Sequence, residues 1–314
     1  MDFFSEILSH LELKGTLYFR TSFSPPWGVE VPAFEKVVRF HYAHRGRCFV
    51  RIKGTDNLVC LEQGDLLLIA KGAGHKLFSD PQAEEAVLEL DRVVEQSGFT
   101  GQGTLVIPSN EQAEGFEAQL VCGHFSFDKK SGHPLLEALP EFIHINDYSS
   151  AAGHWLEASL KVIGEEAHQP ALGSDLIARK ASEIIFAQTL RTYFAHEDTN
   201  TDGLAAYADQ EFAPVLQAIH SDPARAWTLE QMAKVAGMSR TAFANSFHQR
   251  FGVPPMAYVT DWRMEIARKR LANTNQAIIE IAESIGYLSE ASFGRVFKKK
   301  FGLAPGRYRK EQSV

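Results

Sequence analysis

The C-terminal part of the chain contains one stretch twice, and an internal repeat limits the available folds more tightly than composition does. The first copy, TLEQMAKVAGMSRTAFANSFHQRFGVPPMAYV, begins at Thr228; the second, IIEIAESIGYLSEASFGRVFKKKFGLAPGRYR, begins at Ile278. Phe243, Phe247 and Phe251 recur fifty residues on as Phe293, Phe297 and Phe301. Ser239 recurs as Ser289, Gly252 as Gly302, Pro255 as Pro305 and Tyr258 as Tyr308.

The spacing predicts two helices in each copy. Thr228 and Gln231 make a capping box that opens the first, with Met232, Ala233 and Ala236 turned inward. Gly237 ends it where a left-handed residue is needed, and Ser239 caps the next. Phenylalanines at i, i+4 and i+8 form one stripe that buries this second helix, and Gly252 with Pro254-Pro255 terminates it. The second copy repeats the scheme with Ile281, Ala282 and Ile285, then Gly286, then Ser289. Two helices joined by a short glycine-containing turn are a helix-turn-helix, whose second helix enters the major groove of DNA. One such hairpin is common in plain helical cores. Between the copies, Tyr258–Leu271 reads as an amphipathic helix that holds them apart, suited to major-groove faces about one turn of DNA apart.

Charge agrees with this reading. The whole chain carries 32 Lys and Arg against 39 Asp and Glu, a net of −7. Residues 212–314 hold 15 of the former and 8 of the latter, net +7, which leaves 17 and 31, net −14, for residues 1–211. Such asymmetry marks the basic end as a nucleic-acid candidate, although a basic face alone can also be a solvated one. With the phenylalanines inward, Arg240, Thr241, Ala244, Asn245 and His248 face outward on the first recognition helix. Glu290, Ala291, Gly294, Arg295 and Lys298 do so on the second. Arg295 has the fork to read a guanine and Asn245 the amide to read an adenine. Lys299, Lys300, Arg307 and Arg309 are expected at phosphates or in solvent.

The N-terminal half follows a different period. Val37–Tyr42, Cys48–Ile52 and Leu66–Ile69 are apolar or alternating runs broken by Gly- and Asp-containing turns, so 14–127 reads as strands of a sandwich or barrel. From about Pro134 the period becomes helical, most clearly over Ser174–Phe194, and 196–211 is polar and turn-rich. No run approaches the roughly 18 apolar residues of a membrane helix. The acidic, amphipathic MDFFSEILSHLELKG lacks the basic region and cleavage site of a signal peptide. Three cysteines, Cys48, Cys60 and Cys122, make no secreted disulfide framework, so a reducing cytoplasm is expected.

Residues of about 217–310 resemble the AraC/XylS DNA-binding domain. The likeness rests on Trp262-Arg263-Met264…Ala267…Leu271 and on Ile281-Ala282…Gly286-Tyr287…Ser289…Ser292-Phe293…Phe297-Lys298…Phe301-Gly302…Pro305…Tyr308-Arg309. Leu61–His75 is similar to the second cupin motif, with Ala70 in place of the usual proline and Ser79 in place of asparagine. Phe40-His41, Leu120–His124, Phe127-Asp128 and Gly132–Pro140 fit the cupin-type sensor of one branch of AraC-like regulators, over roughly 5–195.

The resemblance implies an α+β chain. A cupin-like β-barrel with attached helices would occupy 1–195 (helical part about 134–195) and a linker 196–211. An all-α DNA-binding domain would occupy 212–314, with helix-turn-helix motifs at 228–252 and 278–302. It implies a sequence-specific transcription regulator answering a small-molecule or stress signal, its sign of action and inducer open. The implied partners are double-stranded promoter DNA, an unknown small-molecule effector, a second copy of the chain and RNA polymerase, with no membrane. The Ser174–Phe194 helix offers Leu176, Ile177, Ile184 and Ile185 either to a twofold partner or to its own barrel.

Metal-dependent cupins place two histidines at i and i+2 on one strand, pointing into the barrel. Here His41 and His44 are three apart, Ala43 takes the i+2 place, and the first motif's glutamate is not evident. No catalytic residue, cofactor or metal is therefore expected. The alternative is a metal-dependent cupin enzyme tethered to a DNA-binding domain, its site assembled from His41, His75 and Cys122. The same three residues are the ligand or sensor candidates, although Cys122, after an apolar strand, reads more simply as a buried packing thiol.

Overall fold

The computed structural model describes residues 2–11, 13–100, 104–108, 117–127, 133–168, 171–195, 207 and 209–312. Asp128, Gly132 and the linker 196–211 lie outside these, apart from 207 and 209–211. The chain divides into two compact units, Leu13–Phe127 with Pro140–Glu197, and Met1–Glu12 with Asp128–Leu139 and Asp198–Val314. No described helix is long and apolar enough to cross a membrane.

Helix α1 (Phe3–His10) opens the chain and belongs to the second of these units. The sheet unit then begins with β1 (Lys14–Phe23), β2 (Gly28–Val31), β3 (Val37–Arg45), β4 (Cys48–Ile52), β5 (Leu58–Leu61) and β6 (Leu66–Ile69). It continues with β7 (His75–Phe78), β8 (Leu88–Glu89), α2 (Leu90–Ser97), β9 (Thr104–Ile107) and β10 (Gln119–Ser126). After α3 (Pro134–Glu137), which joins α1's unit, come β11 (Phe142–Ile145), α4 (Ala151–His168) and α5 (Ser174–Ala195). The strands form a sheet in the order β11-β6-β3-β10-β1-β9 and another in the order β5-β4-β7-β2-β8.

The runs expected at 37–42, 48–52 and 66–69 are β3, β4 and β6. Their burial follows what covers them. In β4, Cys48, Val50 and Ile52 are buried in alternation, since one face of that sheet meets the core and the other does not. β6 is buried at every position, and β3 nearly so, because α4 and α5 cover the sheet's outer face. One core joins residues of both sheets, from Val50 and Leu77 to Leu120 and Cys122. This is a cupin-like double sheet whose ladders leave β11, β9, β5 and β8 as edges.

The helical unit is completed by α6 (Ala213–Ser221), α7 (Leu229–Val235), α8 (Arg240–Phe251), α9 (Pro255–Asn273), α10 (Ile278–Ser284), α11 (Glu290–Phe301) and α12 (Pro305–Gln312). Thr228 Oγ1 accepts from Gln231 N–H and Gln231 Oε1 accepts from Thr228 N–H, the reciprocal box read from the sequence. The second copy has Ala277 at this place, so only the return half survives, Glu280 Oε2 accepting from Ala277 N–H at 3.0 Å. Ser239 and Ser289 cap α8 and α11. Gly286 is needed twice over: its φ is +86°, and a Cβ there would strike the carbonyl oxygen of Ala224 and the guanidinium of Arg263. Arg263 is held there by the carbonyls of Pro223 and Arg225, each at 2.7 Å.

Helix α9 is buried on nearly every face, from Tyr258 and Trp262 to Ile266 and Leu271, because both motifs pack on it. Two N-terminal segments also cover this unit. Phe3 N–H donates to Gln217 Oε1 at 2.9 Å, Lys269 Nζ donates to the carbonyl of Ser9 at 2.9 Å, and the His10 ring lies 4.6 Å from Trp262. His133, ahead of α3, approaches the Tyr258 hydroxyl at 3.4 Å, and His220 meets the same hydroxyl at 2.9 Å.

Candidate nucleic-acid interface and buried sensor cluster

Helices α8 and α11 present one polar face each because their other face is filled with rings. Phe243, Phe247, Phe293 and Phe297 are fully buried, and neighbouring rings of each stripe stand 4.4–5.5 Å apart. On the opposite face Arg240, Thr241, Asn245, His248, Glu290, Ala291, Arg295 and Lys298 are exposed, while Ala244 and Gly294 are half-buried. Arg240 leans on Glu230 at 3.3 Å in an exposed pair of little energetic weight. A Cβ at Gly294 would meet only Pro305 at an ordinary 3.9 Å, so packing does not demand glycine at that surface position.

Lys300 requires a correction. Expected at phosphate or in solvent, it is mostly enclosed and donates to Asp261 Oδ1 at 2.9 Å, with Glu265 Oε1 at 3.5 Å. It ties the end of α11 to α9. The repeat shows which face Phe293, Phe297 and Phe301 bury, but the carboxylates facing Lys300 come from another helix. Lys299 and Arg307 stay exposed.

In the sheet unit, His41, His75 and Cys122 do meet. Cys122 on β10 is the cross-strand partner of His41 on β3, and His75 stands on β7 of the other sheet. His41 Nδ1 lies 3.0 Å from Cys122 Sγ, and His41 Nε2 lies 2.7 Å from His75 Nε2. His75 Nδ1 is 3.0 Å from the carbonyl oxygen of Ala73, which can only accept. That assigns the protons in turn: His75 donates from Nδ1 to Ala73, His41 donates from Nε2 to His75, and the Cys122 thiol donates to His41 Nδ1. The three side chains form one neutral relay across the core. Burial, with His75 and Arg39 adding to it, holds His41 well below the usual imidazole range; burial brings His75 down to about 4. Burial also pushes the Cys122 thiol up to about 12, so it is no thiolate nucleophile at neutral pH.

This geometry does not suit a metal. Ion ligands converge with free lone pairs at about 2.0–2.3 Å, whereas Cys122 and His75 occupy opposite nitrogens of one ring. Among the described residues no group of three His, Cys, Asp or Glu is arranged to hold an ion. The sequence reading passed over Thr21 and Arg39, which line a small interior cavity beside His41 and Cys122. Arg39 sits two residues before His41 on β3, and that same-face spacing was the available signal. The cavity, about 20 Å³, has room for little more than a water-sized group.

Comparison with known proteins adds a family to this geometry. A family model described as a cupin matches residues 2–195, and one described as a helix-turn-helix domain matches residues 232–311. An AraC-like transcription regulator of Streptomyces lividans is 30% identical, the alignment covering 100% of each chain. Another of that description, from Streptomyces antibioticus, is 29% identical over 99% of each. The HTH-type transcriptional regulator AlkR of Acinetobacter baylyi is 28% identical over 99% of this chain and 100% of its own.

Proposed function

This chain belongs to the AraC-like transcription regulators with an N-terminal cupin domain, and on that premise we propose that it binds promoter DNA through α8 and α11 and answers a small-molecule signal received by the sheet unit. The carrying observation is the pair of exposed polar faces, each opposite a buried phenylalanine stripe, in a segment of net charge +7. Selecting bound fragments from genomic DNA with the full chain tests it; no preference for any promoter over random DNA would end it. A cytoplasmic location and contact with RNA polymerase belong to this reading. Action as a regulator without catalysis is supported by the neutral relay, whose thiol is protonated and whose ring nitrogens are all engaged.

Base reading is assigned to Arg295, which is exposed on α11. Arg295→Ala should weaken the cognate site by about 1–3 kcal/mol and relax preference at one base pair. Lys299→Ala should weaken all sequences alike and lower the salt slope by about 1. Equal losses on cognate and random DNA for both variants would remove this assignment.

A homodimer through α5 completes the reading. Ile177 and Ile184, seven residues apart on one helix line, are 44% and 53% exposed, and α4 adds exposed Trp155 and Val162. Ile185, also expected as a contact, is 0% exposed and packs inside its own unit, one helical step of about 100° away from Ile184. Ile184→Asp should yield folded monomers with much weaker binding to paired sites, read by sedimentation and gel shift. A wild-type chain that sediments as a monomer, with and without DNA, would exclude the dimer.

A further inference from the structure

The sheet unit carries a second cavity, apart from the His41 relay. β8 ends the five-stranded sheet, β9 ends the six-stranded sheet, and α2 connects them in sequence. Residues of these three elements, of the β1–β2 turn and of the Pro81–Ala86 turn enclose a cleft of about 440 Å³. That is the size of a small-molecule site, for which about 300–1,000 Å³ is usual. The close approach of its walls depends on Gly28, where a Cβ would meet Val87 at 2.7 Å.

The lining is mostly apolar. Leu88 on β8 and Val106 on β9 line the cleft while keeping over a third of their surface exposed, which leaves them uncovered by the chain's own core. Trp27 and Val93, both buried, also line it. Among the described residues of the lining Asp80 is the one charged group, with no Lys, Arg or His. Its carboxylate is already engaged, accepting from Gln82 N–H at 2.9 Å, Ala83 N–H at 3.2 Å and the Ser79 hydroxyl at 2.9 Å. An anion would therefore meet a negative charge with no compensating cation among the described lining residues, and a cation would compete with three existing donors. Gln82 and Gln96 bring exposed, uncharged amides to the lining, and Trp27 adds a buried donor, its Nε1 having no hydrogen-bond partner among the described residues.

We infer that this cleft binds an uncharged, mainly apolar small molecule carrying a hydrogen-bond acceptor. The apolar walls supply affinity by removing the ligand's surface from water, and the acceptor gives the Trp27 indole N–H the partner it lacks. Only the consequence of binding, a change in DNA affinity, rests on the reading of this unit as a sensor; the binding itself does not.

The test uses the full chain and three probes of one chain length, 2-nonanone, nonanoate and nonylamine. Calorimetry should give one saturable site per chain for 2-nonanone, with nonanoate and nonylamine about tenfold or more weaker. In a 15N spectrum, where the four tryptophans give four indole signals, the Trp27 signal should move on adding 2-nonanone. Val106→Asp and Leu88→Asp, both at exposed positions, should each weaken 2-nonanone about tenfold while leaving the melting profile unchanged. Absence of saturable binding, a nonanoate or nonylamine affinity equal to the ketone's, or undiminished binding in both variants would overturn the inference. Ketone binding without any change in DNA affinity would instead overturn the sensor reading and leave the site standing.

Discussion

Phe297→Ala is expected to destabilise the helical unit by about 3–5 kcal/mol, the cost of an aromatic side chain removed from a close-packed core. Phe297 is fully buried, 5.5 Å from the Phe293 ring, 4.7 Å from Phe301 and 5.5 Å from Tyr308. No neighbour can collapse into the space without leaving its own stack. Since whole domains are stable by only about 5–15 kcal/mol, the variant should unfold at far lower urea and lose DNA binding with its fold. Phe247→Ala should behave alike in the first copy, where Phe212, Phe243, Phe251 and Tyr258 surround it. Phe301 ends the same stripe but is only half-buried, so its alanine variant should lose clearly less. Equal losses at Phe297 and Phe301 would mean that the stripe is not seated as described.

Glu265→Ala should be the second large effect, about 3–5 kcal/mol, for a reason unrelated to volume. Glu265 and Arg268 on α9 form a pair at 2.9 Å with both side chains only 2% exposed, and Lys300 stands 3.5 Å from the same carboxylate. Removing the carboxylate takes this partner from Arg268 in a site shielded from water, and breaking a buried pair from one side costs more than the pair itself contributes. The matched double variant Glu265→Leu with Arg268→Met should therefore recover most of the loss. Denaturant midpoints for the two single variants and the double give the coupling directly. Additive losses, with no recovery in the double variant, would show that Arg268 is balanced by something other than Glu265.

Much of the candidate interface is legible in the sequence, because it depends on spacing within single helices. The caps at Thr228, Ser239 and Ser289, the turn at Gly286 and the inward stripes are local, set by residues within a few positions of one another. Once the stripe is placed, the outward positions of Arg295 and Asn245 follow. The buried cluster was legible only as a set of names. His41, His75 and Cys122 are 34 and 81 residues apart, and nothing in their spacing shows that one imidazole stands between the other two groups.

By itself, then, the sequence determined two helix-turn-helix copies, the faces they bury, the basic end that carries them and the strand-rich half before them. Tertiary structure alone decided which partner meets each side chain. It turned Lys300 from the solvent toward Asp261 and Glu265, buried Ile185 while leaving Ile184 exposed, and left the edges β8 and β9 flanking a cleft. It also laid α1 and His133 against α6 and α9, far along the chain. The physical reason is one of range. Periodicity and capping are decided within a turn or two of backbone, where neighbours in sequence are neighbours in space. Partner identity depends on which distant segments pack together, and that depends on shape and burial summed over the whole unit.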